Sequence, residues 1–118
     1  MSSSEYPTDP QCIFCRIIAG KAPAKVRYES GQVFAFDDIN PHAPTHVLIC
    51  PKAHYPTFME APAEVLATLN AEIKSIATHL GFAERGFRLQ VNNGRESGQI
   101  VPHLHYHFLA GRPMHDHG

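Results

Sequence analysis

Apolar positions fall in short blocks along the chain, and the spacing within each block predicts an element. In CIFCRIIAG, Ile13, Phe14, Ile17 and Ile18 recur at helical steps and stop at Gly20, which predicts a short helix with a glycine cap. KVRYE and VFAFD are brief strand-like runs separated by Ser30-Gly31, a turn signal that reads as an antiparallel pair. DINPHAP carries two prolines and reads as a loop; THVLICP follows as a mostly apolar strand ended by Pro51. From Pro62, which suits a first helical turn, Val65, Leu66, Leu69, Ile73, Ile76 and Leu80 recur at three- and four-residue steps until Gly81. GFRLQVN is a fourth strand, NNGRESGQ a glycine- and asparagine-rich turn, and VPHLHYHFLA a fifth strand. This order predicts an α+β fold, a five-stranded and largely antiparallel sheet with one long and one short helix. Residues 1–11 read as a flexible N-terminal arm and residues 12–118 as a single domain without internal repeats.

The fifth strand changes the picture from packing to chemistry. Side chains alternate along a strand, so His103, His105 and His107 share one face while Leu104, Tyr106 and Phe108 share the other. The apolar set is expected to meet the long helix, and the opposite face to display three imidazoles about 6.5 to 7 Å apart. Charged imidazoles in line repel one another, so such a row points to use. One use is a catalytic metal held by neutral ring nitrogens, with an open position for water. The other is a nucleophilic imidazole whose neighbours orient it and stabilise an anion. The loop before the row favours the second, because Asn92-Asn93-Gly94 and Ser97-Gly98-Gln99 can turn backbone N–H groups toward a phosphate. Glu96 is the one carboxylate in that loop.

Composition narrows the setting. A chain of 118 residues forms one core without a disulfide framework. A net charge of -1 gives no footprint for nucleic acid or an anionic membrane. No apolar run approaches the ~20 residues of a membrane span, and MSSSEYPTDP lacks the marks of a signal peptide, so a soluble, cytoplasmic protein is expected. Three cysteines, two in Cys12-x-x-Cys15 and one at Cys50 inside an apolar strand, fit a reducing interior. The Cys-x-x-Cys pair is also a zinc half-site. Of the nine histidines, His42, His79, His115 and His117 read as surface residues.

HLHYHFL resembles the signature of the histidine triad superfamily of nucleotide hydrolases and transferases. The resemblance extends through IFCRIIAGKAPAK, FAFDDINPHAPTHVLICPKAH, VNNG, SGQ and AGRPM, in the order and at spacings similar to the Hint branch, over about residues 12–114. It implies a HIT-like fold and cleavage of purine nucleoside 5′-phosphoramidates or related nucleotide conjugates, with an AMP- or GMP-like product. It further implies that His105 is the nucleophile, that His107 contacts the phosphate, and that His46 and His103 complete the catalytic set. Asp38 corresponds to the acceptor of the ribose hydroxyls. Ile13, Phe14, Ile17, Phe36 and Ile39 correspond to the slot for the base, and Asn92, Gly98 and Gln99 to the phosphate-side loop. Members that carry the cysteine pair complete a structural zinc site with two histidines, here His54 and His103; no organic cofactor is implied. A homodimer joined through the sheets is expected as well. Two departures stand out: Ile100 replaces a serine associated with the leaving group, and the tail lacks the tryptophan of the animal proteins. Two alternatives stay open, a metal-dependent hydrolase using the row as ligands and a nucleotide-binding interaction module with residual activity.

Overall fold

A computed structural model describes residues 6–114. Helix α1 (Ile13–Ile18) precedes strands β1 (Val26–Glu29), β2 (Val33–Asp37) and β3 (Thr45–Pro51); helix α2 (Ala63–Leu80) leads to β4 (Arg88–Val91) and β5 (Tyr106–Ala110). The strands form one sheet in the order β1-β2-β3-β5-β4, and every neighbouring pair is antiparallel. The expected α+β architecture is therefore present.

Helix α2 forms because its apolar residues fall on one stripe, and Leu69, Ile73, Ile76 and Ala77 are buried by it. Pro62 sits just outside the first turn as the N-cap residue, where its missing N–H costs nothing. Gly81 ends the helix at φ 88°, a left-handed conformation that glycine adopts without strain. The stripe packs on Val33, Ala35, Val47, Ile49, Tyr106 and Phe108, the alternate positions of the three central strands. The other sheet face carries Phe34, Phe36, Leu48 and Cys50, covered by Cys12, Phe14 and Cys15 of the α1 region. Both faces are thus closed, one by a long helix and one by a helix of six residues.

Two predicted strands are shorter than the sequence suggests. Strand β4 starts at Arg88, after Gly86 at φ 97°. Strand β5 begins only at Tyr106, so residues 101–105 are irregular. Pro102 cannot donate to a ladder, and the His103 N–H turns back to the Val101 carbonyl at 2.8 Å. The first residues of the chain and His115 and His117 lie outside the described residues. In the described part of the N-terminal arm, the Pro7 carbonyl accepts from the His54 N–H at 2.7 Å and Asp9 Oδ1 accepts from the Gln11 N–H at 2.9 Å.

Candidate functional site

The alternation that singled out the histidines continues through the irregular segment, because Leu104, Tyr106 and Phe108 join the core under α2. The imidazoles take the opposite side, but they are not displayed to solvent. His103 is fully buried, His105 is 8% exposed and His107 is half-buried. The open row is corrected to a buried one, because α1 packs over that face and sets the Phe14 ring edge-on to His105 at 5.0 Å. The His105 and His107 rings lie 5.1 Å apart, closer than strand rise alone would put them.

Strand register explains what gathers around them. Phe36, Leu48, His107 and Gln90 are successive partners across β2, β3, β5 and β4, so they form one row along the α1 face. A cavity of about 880 Å³ opens over this row. Ile13, Phe14, Ile17, Phe36 and Ile39, the residues that the resemblance assigns to a base slot, line its apolar part. Asp38, His46, His105 and His107 line its polar centre, and Asn92, Gly98 and Gln99 border it from the loop before β5. The Gln99 amide is fully occupied: its Oε1 accepts from the Gly94 N–H at 2.8 Å within that loop, and its Nε2 donates to the Val101 carbonyl at 3.0 Å and to the Pro56 carbonyl, in the segment after β3, at 2.7 Å. Gly98 turns the loop at φ 89°. Ile100, 90% exposed, stands on the rim.

Backbone partners fix which nitrogen of each neutral ring carries the proton. His105 Nδ1 lies 2.7 Å from the His103 carbonyl, which can only accept. Nδ1 is therefore the donor, and Nε2 keeps its lone pair. His46 Nδ1 accepts from the His42 N–H at 3.0 Å, so the proton of His46 is on Nε2. That N–H points to His107 Nδ1 at 2.9 Å, with Asp38 Oδ2 at 3.4 Å. His107 Nδ1 then accepts, and its own proton sits on Nε2. Burial favours these neutral forms. It pulls His107 down to about 4, helped by the nearby His105 and His46; it lowers His105 against the hydrogen bond to the His103 carbonyl and the charge of Asp38, and His46 against Asp38.

Behind the cavity lies a second cluster. Cys12 Sγ is 3.3 Å from His103 Nδ1, Cys15 Sγ is 3.7 Å from the same atom, and Cys15 Sγ is 3.5 Å from His54 Nδ1. With bonds of about 2.3 Å to sulfur and 2.0 to 2.1 Å to nitrogen, a tetrahedral zinc site has sulfur–nitrogen edges of about 3.5 Å. The four side chains therefore fit such an ion. His103 Nε2 donates to the Pro51 carbonyl at 2.8 Å, which leaves Nδ1 as the ligand atom and supplies the outer hydrogen bond that metal-bound imidazoles use. Burial raises the Cys15 thiol to about 11, which a bound cation would reverse.

Sequence reasoning missed several residues here. His42, read as surface, lines the cavity, lies 5.6 Å from the His46 ring and presents its N–H to that ring. Arg88 and Gln90 also line the cavity, on the face that alternation along β4 shares with Asn92. The carboxylate absent near the row in sequence is Asp38, brought beside His46 because β2 and β3 pair: the Asp38 N–H donates to the His46 carbonyl at 2.9 Å.

Together the sheet, the short capping helix and the cavity of hydrogen-bonded histidines define a histidine-triad domain. The HIT domain family matches residues 19–114, and the chain belongs to that family. It is 41% identical over 107 residues to the purine nucleoside phosphoramidase of Escherichia coli K12, spanning 88% of this chain and 90% of that one. A histidine triad protein from Clostridium difficile superposes with a TM-score of 0.89 at 39% identity, covering 94% and 99% of the two chains. A HIT family hydrolase from Legionella pneumophila gives 0.86 at 41% identity, covering 91% and 98%.

Proposed function

We propose that the chain is a hydrolase of purine nucleoside 5′-phosphoramidates that works through a nucleotidyl-histidine intermediate. The observation that carries this reading is the tautomer of His105: its Nδ1 is pinned by a carbonyl while its Nε2 lone pair remains for attack. In the first step Nε2 bonds to the α-phosphorus, the phosphorus–nitrogen bond to the substrate's amine breaks, and the amine leaves with a proton taken from solvent, which the attacking water of the second step returns. Water then attacks the same phosphorus, the bond to His105 breaks, and a nucleoside monophosphate departs. His107 offers its Nε2–H to a phosphate oxygen as charge grows there. The apolar slot would hold the base and Asp38 the ribose hydroxyls. The activity named for the Escherichia coli relative supports this substrate class.

Cys12, Cys15, His54 and His103 would hold a zinc ion, whose contribution there is structural because four protein ligands close its coordination. Three free, buried cysteines support a cytoplasmic setting. No helix among the described residues is long and apolar enough to cross a membrane. A homodimer would use the β4 edge of the sheet.

One observation favours a second reading. Asp38, His46 and His107 place ligand atoms within 4.8 Å of one another beside the cavity, a set that would suit a hydrolytic metal. Incubating the parent and His105→Ala with labelled adenosine and guanosine phosphoramidates separates the two. The covalent reading expects label on the parent alone and no requirement for added metal; turnover that needs added metal and leaves no label would sink it. Tight monophosphate binding with turnover below about one per hour, far under the usual 1 to 10³ per second, would favour an interaction module.

A further inference from the structure

We propose that Gln99, seconded by Asn93, is a positioning residue for the phosphate. The two side chains clamp the loop before β5 onto the connector between β3 and α2, and the clamped backbone offers the Ile100 and Val101 N–H groups to a phosphoryl oxygen. The inference deepens the nucleotide reading of the cavity and rests on it.

The bonding capacity of Gln99 leaves it no donor for a phosphate. A carboxamide has two N–H donors and one accepting oxygen. Both donors go to the Pro56 and Val101 carbonyls, and the oxygen takes the Gly94 N–H. The same three partners settle which end is nitrogen, because the flipped amide would set its oxygen against two carbonyls. Gln99 therefore acts on the loop that carries it.

The loop is tied to itself and to the wall behind it. Gln99 and Gly94 exchange a second bond, from the Gln99 N–H to the Gly94 carbonyl at 3.3 Å, which closes the turn. On the loop's other shoulder Asn93 Oδ1 accepts the Met59 N–H at 2.9 Å, and just past the loop the Leu104 N–H donates to the Tyr55 carbonyl at 2.7 Å. Tyr55, Pro56 and Met59 of the connector thus hold Leu104, Gln99 and Asn93. Ile100 and Val101 lie between these ties and line the cavity together with His105 and His107. Their N–H groups have no partner among the described residues, whereas those of Ser97, Gly98 and Gln99 are bonded inside the loop. Two adjacent N–H groups held in this way suit an anion. The Val101 carbonyl, which accepts from both Gln99 Nε2 and the His103 N–H, fixes the orientation of the segment.

The test uses the full-length protein, labelled with ¹⁵N and titrated with AMP, GMP and the two nucleosides that lack the phosphate. In the parent the monophosphates, and not the nucleosides, should shift the Ile100 and Val101 amide signals. Gln99→Ala should lose that shift and weaken monophosphate binding about 10- to 100-fold, the scale of hydrogen bonds to a charged group, with nucleoside affinity unchanged. Asn93→Ala should act in the same direction, by about 3- to 10-fold. Asn93→Asp keeps the accepting oxygen and should recover the parent's behaviour at about 0.5 M salt, where its exposed charge is screened. Parent-like monophosphate affinity in Gln99→Ala would overturn the proposal. So would a weakened Gln99→Ala whose Ile100 and Val101 signals still shift with bound monophosphate, the mark of a carboxamide that touches the ligand itself. Should Gln99→Ala fail to fold, Asn93→Ala decides: parent-like affinity and shifts in that variant count against the clamp. Monophosphate bound by the parent with both amides unmoved sinks this inference alone, and a parent that binds neither AMP nor GMP sinks the nucleotide reading with it.

Discussion

The two faces of the sheet are built on different principles. On the α2 face, buried side chains such as Val33, Ile49, Leu69, Ile76 and Phe108 need only volume and water exclusion from one another. On the α1 face, Phe34, Phe36 and Leu48 share space with three buried imidazoles, those of His46, His103 and His105, and three buried thiols. Each of those polar groups needs a directed partner, because an unpaired one costs its full desolvation. The apolar face can absorb a shape-conserving change with a modest loss, whereas the polar face fails by losing one bond.

The changes that break this contrast most sharply concern function without stability. His105→Ala is expected to lower phosphoramidate turnover by at least about 10³-fold, since the bond-forming atom itself is removed. Its circular dichroism and melting temperature should stay close to the parent's. Phe108→Ala is the mirror case: it empties a fully buried position stacked on Phe87 at 4.6 Å and should destabilise by about 3 to 5 kcal/mol in denaturant titration. The fraction that remains folded should keep its kcat. His46→Ala removes the N–H that sets the His107 tautomer and should cost about 10- to 100-fold in kcat, the range of general acid–base and orienting groups.

Acid should act on the polar face first. The ordinary histidine value near 6.5 applies to the unfolded chain, and His107 is held down to about 4 in the fold. A depressed value means that the unfolded state binds the proton more readily, so stability is full above about pH 6.5 and is lost as pH falls toward about 4. Melting curves between pH 7 and 4 should show this decline, and it should shrink in His107→Asn. The smallest effect is expected at the rim. Ile100→Ser should shift stability by no more than about 0.5 kcal/mol because the side chain is exposed. It should raise turnover of substrates with poor leaving amines a few-fold by adding a hydroxyl donor.

The apolar face was legible in the sequence because alternation and the three-to-four-residue step act locally. Leu69, Ile73 and Phe108 announce their burial within a few neighbours. The polar face was legible only in part. Alternation put His103, His105 and His107 on a common side, and resemblance to a known family supplied roles for Asp38 and His46. What local pattern could not give was register: Gln90 reaches the cavity because it pairs with His107, which pairs with Leu48. Nor could it show that His42 orients His46 through a backbone N–H, an interaction that any residue type other than proline could make. The truncated start of β5 had a local sign, Pro102, whose missing N–H argues against a regular strand at that point.

The central claim is that one imidazole, His105, becomes covalently attached to the nucleotide. Rapid quenching of the parent during turnover of guanosine or adenosine phosphoramidate, followed by peptide mass spectrometry, tests it directly. A nucleoside monophosphate attached to His105, acid-labile and formed without added metal, is the expected result; steady turnover with no adduct, or an adduct on a different residue, would contradict it.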